Sequence, residues 1–282
     1  MVVAGDFRIS STIAPSYRTI KTDAKLVNNY QLSIINYQLS MELLIIFTRY
    51  PEPGKAKTRL IPALGAEGAA RLHRRLTERM LQRVLAAGSE LSWSVSLEVW
   101  FAGGNEELMR QWLGEDVVYR SQGEGDLGER MARAFAAAFG EGMERVAIAG
   151  TDCPDLGPDL IAELFQRLRV GGNDRSPLLV LGPALDGGYY TIGLRRFLPE
   201  LFTGISWSTS KVLQQTIDKA NFFGYDWQLL PELGDIDRPE DLWRLTVSPL
   251  REEIGFVEPN FCEQVSNWGI HQLDFDSSAD SE

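Results

Sequence analysis

The chain has 282 residues, and its 28 Lys and Arg against 39 Asp and Glu leave a formal net charge of −11. That length suits one large α/β domain or two small ones, and the acidic balance argues against a nucleic-acid groove, which needs a basic surface. No apolar run is long enough to cross a bilayer. The two cysteines, Cys153 and Cys262, are too few for a disulfide framework and fit a reducing cytoplasm. His73 and His271 lie far apart, with no zinc-type spacing, so a His-based metal site or a Ser-His-Asp triad has little support.

Residues 1–40 are polar, lack a sustained amphipathic period and contain a near-duplication, Asn29-Tyr30-Gln31-Leu32-Ser33 and Asn36-Tyr37-Gln38-Leu39-Ser40. They read as a disordered extension, with Met41 as the natural start; a regulatory or targeting arm is the rival reading. From Met41 strands and helices alternate. Glu42 to Thr48 is a continuous apolar run, a buried strand. Ala66 to Ala87 is a long helix, with Leu72, Leu76, Met80, Leu81, Val84 and Leu85 near helical spacing. Ser94 to Phe101 is a strand, Glu106 to Leu113 a short helix, and Val117 to Tyr119 a short strand. Asp126 to Phe139 is a helix opened by an acidic cap. A strand from Arg145 ends at Gly150, and Pro158 to Val170 is a helix with proline in its first turn. Leu178 to Leu181 and Tyr189 to Leu194 are strands either side of Asp186-Gly187-Gly188, a hairpin signal. A helix over Ser208 to Ala220, a strand over Tyr225 to Leu230 and a helix over Asp237 to Leu245 follow. The pattern predicts a single α/β domain over 41–247, Rossmann-like, with a mostly parallel mixed sheet covered on both faces. Residues 248–282 form an acidic tail whose Phe256, Phe261 and Trp268 could pack onto the domain and whose last residues are expected to be disordered.

Five segments carry chemistry. Gly150-Thr151-Asp152-Cys153-Pro154-Asp155 puts a carboxylate just past the end of a strand, where ligands bind in open α/β sheets. Asp152 suits a hard divalent cation, although Asp-x-Pro also occurs in plain turns. The first strand empties into Thr48-Arg49-Tyr50-Pro51-Glu52-Pro53-Gly54-Lys55-Ala56-Lys57-Thr58-Arg59-Leu60, rich in Pro and Gly and carrying four cations. It is neither a Walker loop nor a dinucleotide fingerprint, but cations beside freely oriented amides suit a di- or triphosphate. Lys57 and Arg59 are the foremost candidates, with Thr48, Arg49, Gly54 and Lys55 beside them; in an extended loop the alternate spacing lets Lys57 and Arg59 point the same way. In Gln122-Gly123-Glu124-Gly125-Asp126-Leu127 the glycines would let backbone approach a planar ligand such as a base, while Asp126 reads equally as a helix cap. Asp186, Gly187, Gly188 and Tyr189 would meet sugar or acceptor, the alternative being a plain hairpin. Asp235 and Asp237 alternate before a proline-led helix, so both carboxylates face one side, and Asp237 could share one metal ion with Asp152 or only cap the helix. Trp207 and Lys211 could close over substrate, against the alternatives of packing and capping.

With these residues in view, the chain resembles the nucleotide-diphospho-sugar transferase superfamily of GT-A fold. Within it, it is most similar to a bacterial glycosyltransferase family formerly classed as a domain of unknown function and associated in some genomes with arsenosugar biosynthesis. The carriers are Phe47 to Leu60, Gly150-Thr151-Asp152-Cys153-Pro154, Leu185-Asp186-Gly187-Gly188-Tyr189-Tyr190 and Asp235-Ile236-Asp237-Arg238-Pro239-Glu240-Asp241-Leu242. A more distant likeness runs to phospholactate guanylyltransferase and the molybdopterin nucleotidyltransferases. The resemblance implies that the cationic loop meets phosphates and that Asp152 and Asp237 hold Mg²⁺ or Mn²⁺. The Gly-Gly-x-Gly of sugar-nucleotide pyrophosphorylases is missing.

Three functions follow as expectations. The first is a metal-dependent glycosyltransferase that moves a sugar from a nucleotide-diphospho-sugar to a small-molecule acceptor. Lys57 and Arg59 would act on the phosphates and Asp186 would orient sugar or acceptor. The second is a nucleotidyltransferase of guanylyltransferase type, releasing pyrophosphate. The third is a non-catalytic nucleotide-binding protein on the same fold. A cytoplasmic location is expected, and a homodimer is compatible with all three.

Overall fold

A computed structural model describes residues 41–90, 95–170 and 178–247. The extension over 1–40, the tail over 248–282 with Phe256, Phe261 and Trp268, and Ser94 lie outside the described residues.

Strand β1 (Glu42–Arg49) is buried on both faces along almost its whole length, as its unbroken apolar run requires. Its side chains alternate between two cores. Leu44 and Ile46 join one apolar cluster, and Leu43 and Ile45 join the other. The same alternation repeats in β4 (Arg145–Gly150), where Ala147 and Ala149 face one way and Val146 and Ile148 the other. Helices α1 (Ile61–Glu90), α2 (Glu106–Leu113) and α4 (Pro158–Val170) cover the first face. Helices α3 (Leu127–Gly140) and α5 (Val212–Phe223) cover the second.

The sheet is completed by β2 (Val95–Ala102), β3 (Val118–Ser121), β5 (Leu178–Pro183), β6 (Tyr189–Leu194) and β7 (Asp226–Leu229), in the order β3-β2-β1-β4-β6-β5-β7. Every pairing is parallel except those of β6, which runs antiparallel to both β4 and β5. The chain therefore winds outward from β1 through β2 to β3, then returns to place β4 on the other flank of β1. That reversal between β1 and β4 is the topological switch point at which open α/β sheets bind ligands.

Several element bounds differ from the expected ones for local reasons. Helix α1 opens with a short helical segment from Ile61, and Gly65 (φ 69, ψ 170) kinks it away from the long regular helix that runs on from Ala66. Of the expected apolar face, Leu85 is exposed while the other five residues are buried. Helix α5 begins at Val212 instead of Ser208, because Ser208 has a positive φ of 63° that no right-handed helix accepts. The closing helix over 237–245 is a 3₁₀ turn (Pro239–Leu242) followed by α6 (Trp243–Val247). No helix among the described residues is long and apolar enough to cross a membrane.

Candidate active site at the switch point

A cleft of about 440 Å³ opens at the carboxyl ends of β1 and β4. Three loops that are far apart in sequence build its acidic side. The first carries Lys57 in the left-handed region (φ 49, ψ 46), which turns its side chain inward ahead of a 3₁₀ turn at Thr58–Leu60. The second is Thr151-Asp152 after β4. The third is Asp235-Ile236-Asp237, where Ile236 is fully buried under the loop with Leu60, Leu72 and Leu76 and both flanking aspartates line the cleft. Ile236 N donates to Asp152 O at 2.9 Å, which brings the third segment alongside the second.

Lys57 ties them together. Its Nζ donates to Ile236 O at 2.5 Å and pairs with Asp152 Oδ1 at 2.8 Å, and Asp237 Oδ1 lies 3.8 Å away. The ammonium is almost completely shielded from solvent, its side chain being 3% exposed. Arg59 Nη1 meets the other oxygen of Asp237 at 2.5 Å, and its side chain is half exposed. Lys57 and Arg59 thus converge on Asp237 through a tight turn, without the extended loop anticipated from their spacing. Burial alone would raise the Asp152 carboxyl, but the Lys57 ammonium, with a lesser contribution from His73, offsets it and holds the group below its ordinary value. Asp235 behaves oppositely. Burial, then the charges of Asp186 and Asp241, push it up to about 6.

Beneath the cleft runs a polar seam. Thr48 Oγ1 lies 3.1 Å from Thr77 Oγ1, which in turn donates to Thr151 Oγ1 at 3.2 Å. His73 Nε2 sits 2.9 Å from Arg49 O, so that nitrogen carries the hydrogen, since a carbonyl only accepts. Burial lowers the His73 pKa against the pull of Asp152. The neutral ring therefore leaves a bare Nδ1 4.0 Å from Asp152 Oδ1. Burial pushes the neighbouring Cys153 thiol up, which makes it a poor nucleophile.

The opposite wall is aromatic. Tyr189, Tyr190 and Trp207 line it, together with Asp186, whose Oδ1 accepts from Gly188 N at 2.8 Å. Trp207 packs over the start of α3, where a Cβ on Gly128 would lie 2.4 Å from its indole nitrogen. The Asp186 turn is locked to the start of α5, because Leu213 N donates to Gly187 O at 3.0 Å and a Cβ on Gly187 would meet Ser210 O at 2.3 Å.

Of the residues singled out from sequence, the cleft brings together Thr48, Arg49, Arg59, Gln122, Leu127, Asp152, Asp186, Gly188, Tyr189, Trp207 and Asp237. Lys57 lies behind Asp152, buried. Gly54, Lys55, Gly123, Asp126, Gly187 and Lys211 stand outside the lining. Each of four of them has a local engagement. Lys55 pairs with Glu52 at the surface, and Asp126 closes a capping box with Glu129. Gly123 makes room for the Arg133 guanidinium instead of a ligand, since a Cβ there would meet it at 2.7 Å; Gly187 makes room for Ser210. Gln122 is buried with both ends committed. Its Nε2 donates to Thr48 O (3.0 Å) and Trp100 O (2.9 Å), and its Oε1 accepts from Arg130 Nη1 (2.9 Å).

Asp235, paired with Asp237 in the sequence, and Tyr190, the second tyrosine of the Asp186 segment, line the cleft as well, and so do His73 and Arg130, which the sequence does not single out for a role. For Arg130 the available signal was its place one turn past the Asp126 cap.

As to a metal, no group of three or more His, Cys, Asp or Glu side chains is gathered for one among the described residues. The donor chemistry nonetheless fits a hard divalent cation, because Asp152, Asp186, Asp235 and Asp237 all bring carboxylate oxygens to one cleft. Such an ion would share Asp152 and Asp237 with Lys57 and Arg59.

No curated protein matches the chain. Among solved structures, CMP:2-keto-3-deoxy-manno-octonic acid synthetase complexed with CTP has 13% identity and a TM-score of 0.44, covering 75% of this chain and 99% of that one. Glucosyl-3-phosphoglycerate synthase from Mycobacterium tuberculosis, in complex with Mg²⁺ and UDP, has 14% identity and a TM-score of 0.45, covering 80% and 83%. A protein from Desulfovibrio desulfuricans G20, itself only provisionally assigned as a nucleotide-diphospho-sugar transferase, is 31% identical with a TM-score of 0.71, covering 82% of this chain and 99% of that one. The profile of DUF2064, an uncharacterized protein family conserved in bacteria, matches residues 75–209. The chain belongs to the same family as the Desulfovibrio protein and has the nucleotide-diphospho-sugar transferase fold.

Proposed function

We propose that the protein is a transferase that takes a sugar from a nucleotide-diphospho-sugar and passes it to a small-molecule acceptor, with Mg²⁺ or Mn²⁺ held by Asp152 and Asp237. The observation that carries this reading is the meeting of Asp152, Asp237, Lys57 and Arg59 from three distant loops at the switch point of the sheet. The provisional assignment of the 31% identical relative supports it.

The difficult part of such a transfer is the charge that develops on the departing diphosphate. A divalent ion supplies Lewis-acid stabilisation of that charge when bound. The chain's own contribution is positioning. Lys57 keeps Asp152 ionised and close to Asp237. The Asp186 carboxylate, fixed by its bond from Gly188, is available to orient a sugar or acceptor hydroxyl. Tyr189 and Trp207, both partly exposed, offer apolar faces against which a sugar ring packs.

The test is thermal stabilisation by nucleoside diphosphates with and without Mg²⁺ or Mn²⁺, followed by turnover of nucleotide sugars. Metal-dependent stabilisation and release of a nucleoside diphosphate are expected. Asp152→Asn should abolish the metal-dependent shift and leave a folded but less stable protein, because that side chain is 47% exposed yet its charge partners the shielded Lys57 ammonium. Pyrophosphate release from a nucleoside triphosphate would replace this reading with nucleotidyl transfer. Stabilisation without product from any donor would replace it with nucleotide sensing.

A further inference from the structure

The two cations favoured from sequence for phosphate binding are already engaged. Lys57 donates to Ile236 O, pairs with Asp152 Oδ1 at 2.8 Å and has Asp237 Oδ1 3.8 Å away, and it is shielded from solvent. Arg59 spends its charge on Asp237. A site for a diphosphate needs positive charge not yet matched by carboxylates. That charge lies at the other end of the same cleft.

Arg49 ends β1 with an exposed side chain, and Arg130 lies half-buried on the first turn of α3; both line the cleft. Among the described residues neither has a carboxylate within ion-pair distance, 4.0 Å or less. Arg130 donates only to neutral oxygens, through Nη1 to Gln122 Oε1 at 2.9 Å and through Nε to Asp126 O at 3.2 Å. Its remaining hydrogens are uncommitted. The route that holds it in place is short. Gln122 reaches from Thr48 O, one residue before Arg49, to the Arg130 guanidinium, so one buried amide spaces the two arginines. Arg133 secures Gln122 in turn, donating to Gln122 O and to Glu124 O. Burial and then the charge of Arg49 lower the Arg130 pKa, while Asp126 and Glu124 work against the shift and Arg133 adds to it. Two like charges held beside one another at a cost, with no carboxylate at ion-pair distance among the described residues, suit a dianionic ligand.

We propose that Arg49 and Arg130 form the subsite that grips the diphosphate of the nucleotide donor, and that Gln122 is the positioning residue that sets their spacing. Lys57 then acts on the aspartates and not on the substrate. This assignment rests on the reading above of a nucleotide-sugar donor.

Calorimetric titration of UDP, GDP, ADP and CDP in Mg²⁺ identifies the nucleoside diphosphate that the wild-type protein binds, with inorganic pyrophosphate as competitor. Arg49→Gln and Arg130→Gln should each weaken that nucleotide about 10- to 100-fold, the loss of charge-assisted bonds to phosphate. Arg130→Lys should weaken it nearly as much, because an ammonium keeps the charge but not the planar fork. Pyrophosphate should be displaced by the nucleotide. Wild-type affinity in both Arg49→Gln and Arg130→Lys would overturn the subsite, as would simultaneous binding of nucleotide and pyrophosphate. Arg49 is exposed, so its variant keeps the test decisive if Arg130→Gln fails to fold. A wild-type protein that binds none of the four nucleotides would instead defeat the transferase reading itself.

Discussion

Asp152 and Asp235 line the same cleft, yet their carboxyls are displaced in opposite directions, the first held down and the second pushed up to about 6. Burial acts on both in the same sense. What separates them is the company each keeps. Asp152 touches the Lys57 ammonium, whereas Asp235 feels chiefly Asp186 and Asp241, with Lys57 a lesser influence. The lesson is that contact with one buried lysine decides the direction: the carboxyl that touches it is held down, and the one left chiefly among like charges is pushed up.

Removing the lysine breaks that contrast most severely. Lys57→Met should destabilise the protein by about 2–4 kcal/mol at pH 7, since it strands the Ile236 carbonyl and a carboxylate that had a buried partner. A depressed carboxyl contributes stability above its unfolded pKa and loses it as pH falls through the folded value. The penalty measured by urea unfolding should therefore shrink in acid. An unchanged penalty at pH 3 would mean that Asp152 owes nothing to Lys57.

Asp235→Asn should sharpen the contrast with the opposite sign. A raised carboxyl binds its proton more tightly in the folded state, so ionisation costs stability as pH rises from about 4 to about 6. The variant should gain about 1–2 kcal/mol above pH 7 in chelator, and the gain should vanish near pH 4. Thermal melts across that range test it, and a gain independent of pH would point to packing instead.

The smallest effect belongs to Arg59. Its pair with Asp237 is half open to solvent, where such pairs contribute about 0–1 kcal/mol. Arg59→Gln should move the urea midpoint little, and less still in high salt. A loss as large as that of Lys57→Met would show that Arg59, and not Lys57, gathers the aspartates.

Much of this site could be read from the sequence where a side chain's direction follows from local periodicity. Asp235 and Asp237 face one way because an extended backbone alternates, and the buried Ile236 between them fixes which way. Asp152 was recognisable because an apolar strand ends just before it, and the Asp186 hairpin because two apolar runs flank Asp-Gly-Gly. The sheet order was less accessible, since β6 pairs antiparallel on both sides. What stayed hidden depended on long-range partners. The burial of Lys57 requires a carbonyl from the far end of the domain. Gly123 resembled a ligand-facing glycine until Arg133 was found to occupy the space. His73 carried no motif, and only the fold sets it beside Asp152.

The bond from Lys57 to Ile236 spans 179 residues of chain. On the ribosome, the lysine emerges long before the carbonyl that will receive it. The cleft is therefore completed only after Ile236 has emerged, and contacts of such separation form slowly because the loop must close first. Until then the Lys57 ammonium has only Asp152 as a partner, and a chain cut short before Ile236 would leave the loop anchored through that pair and the buried Leu60 alone.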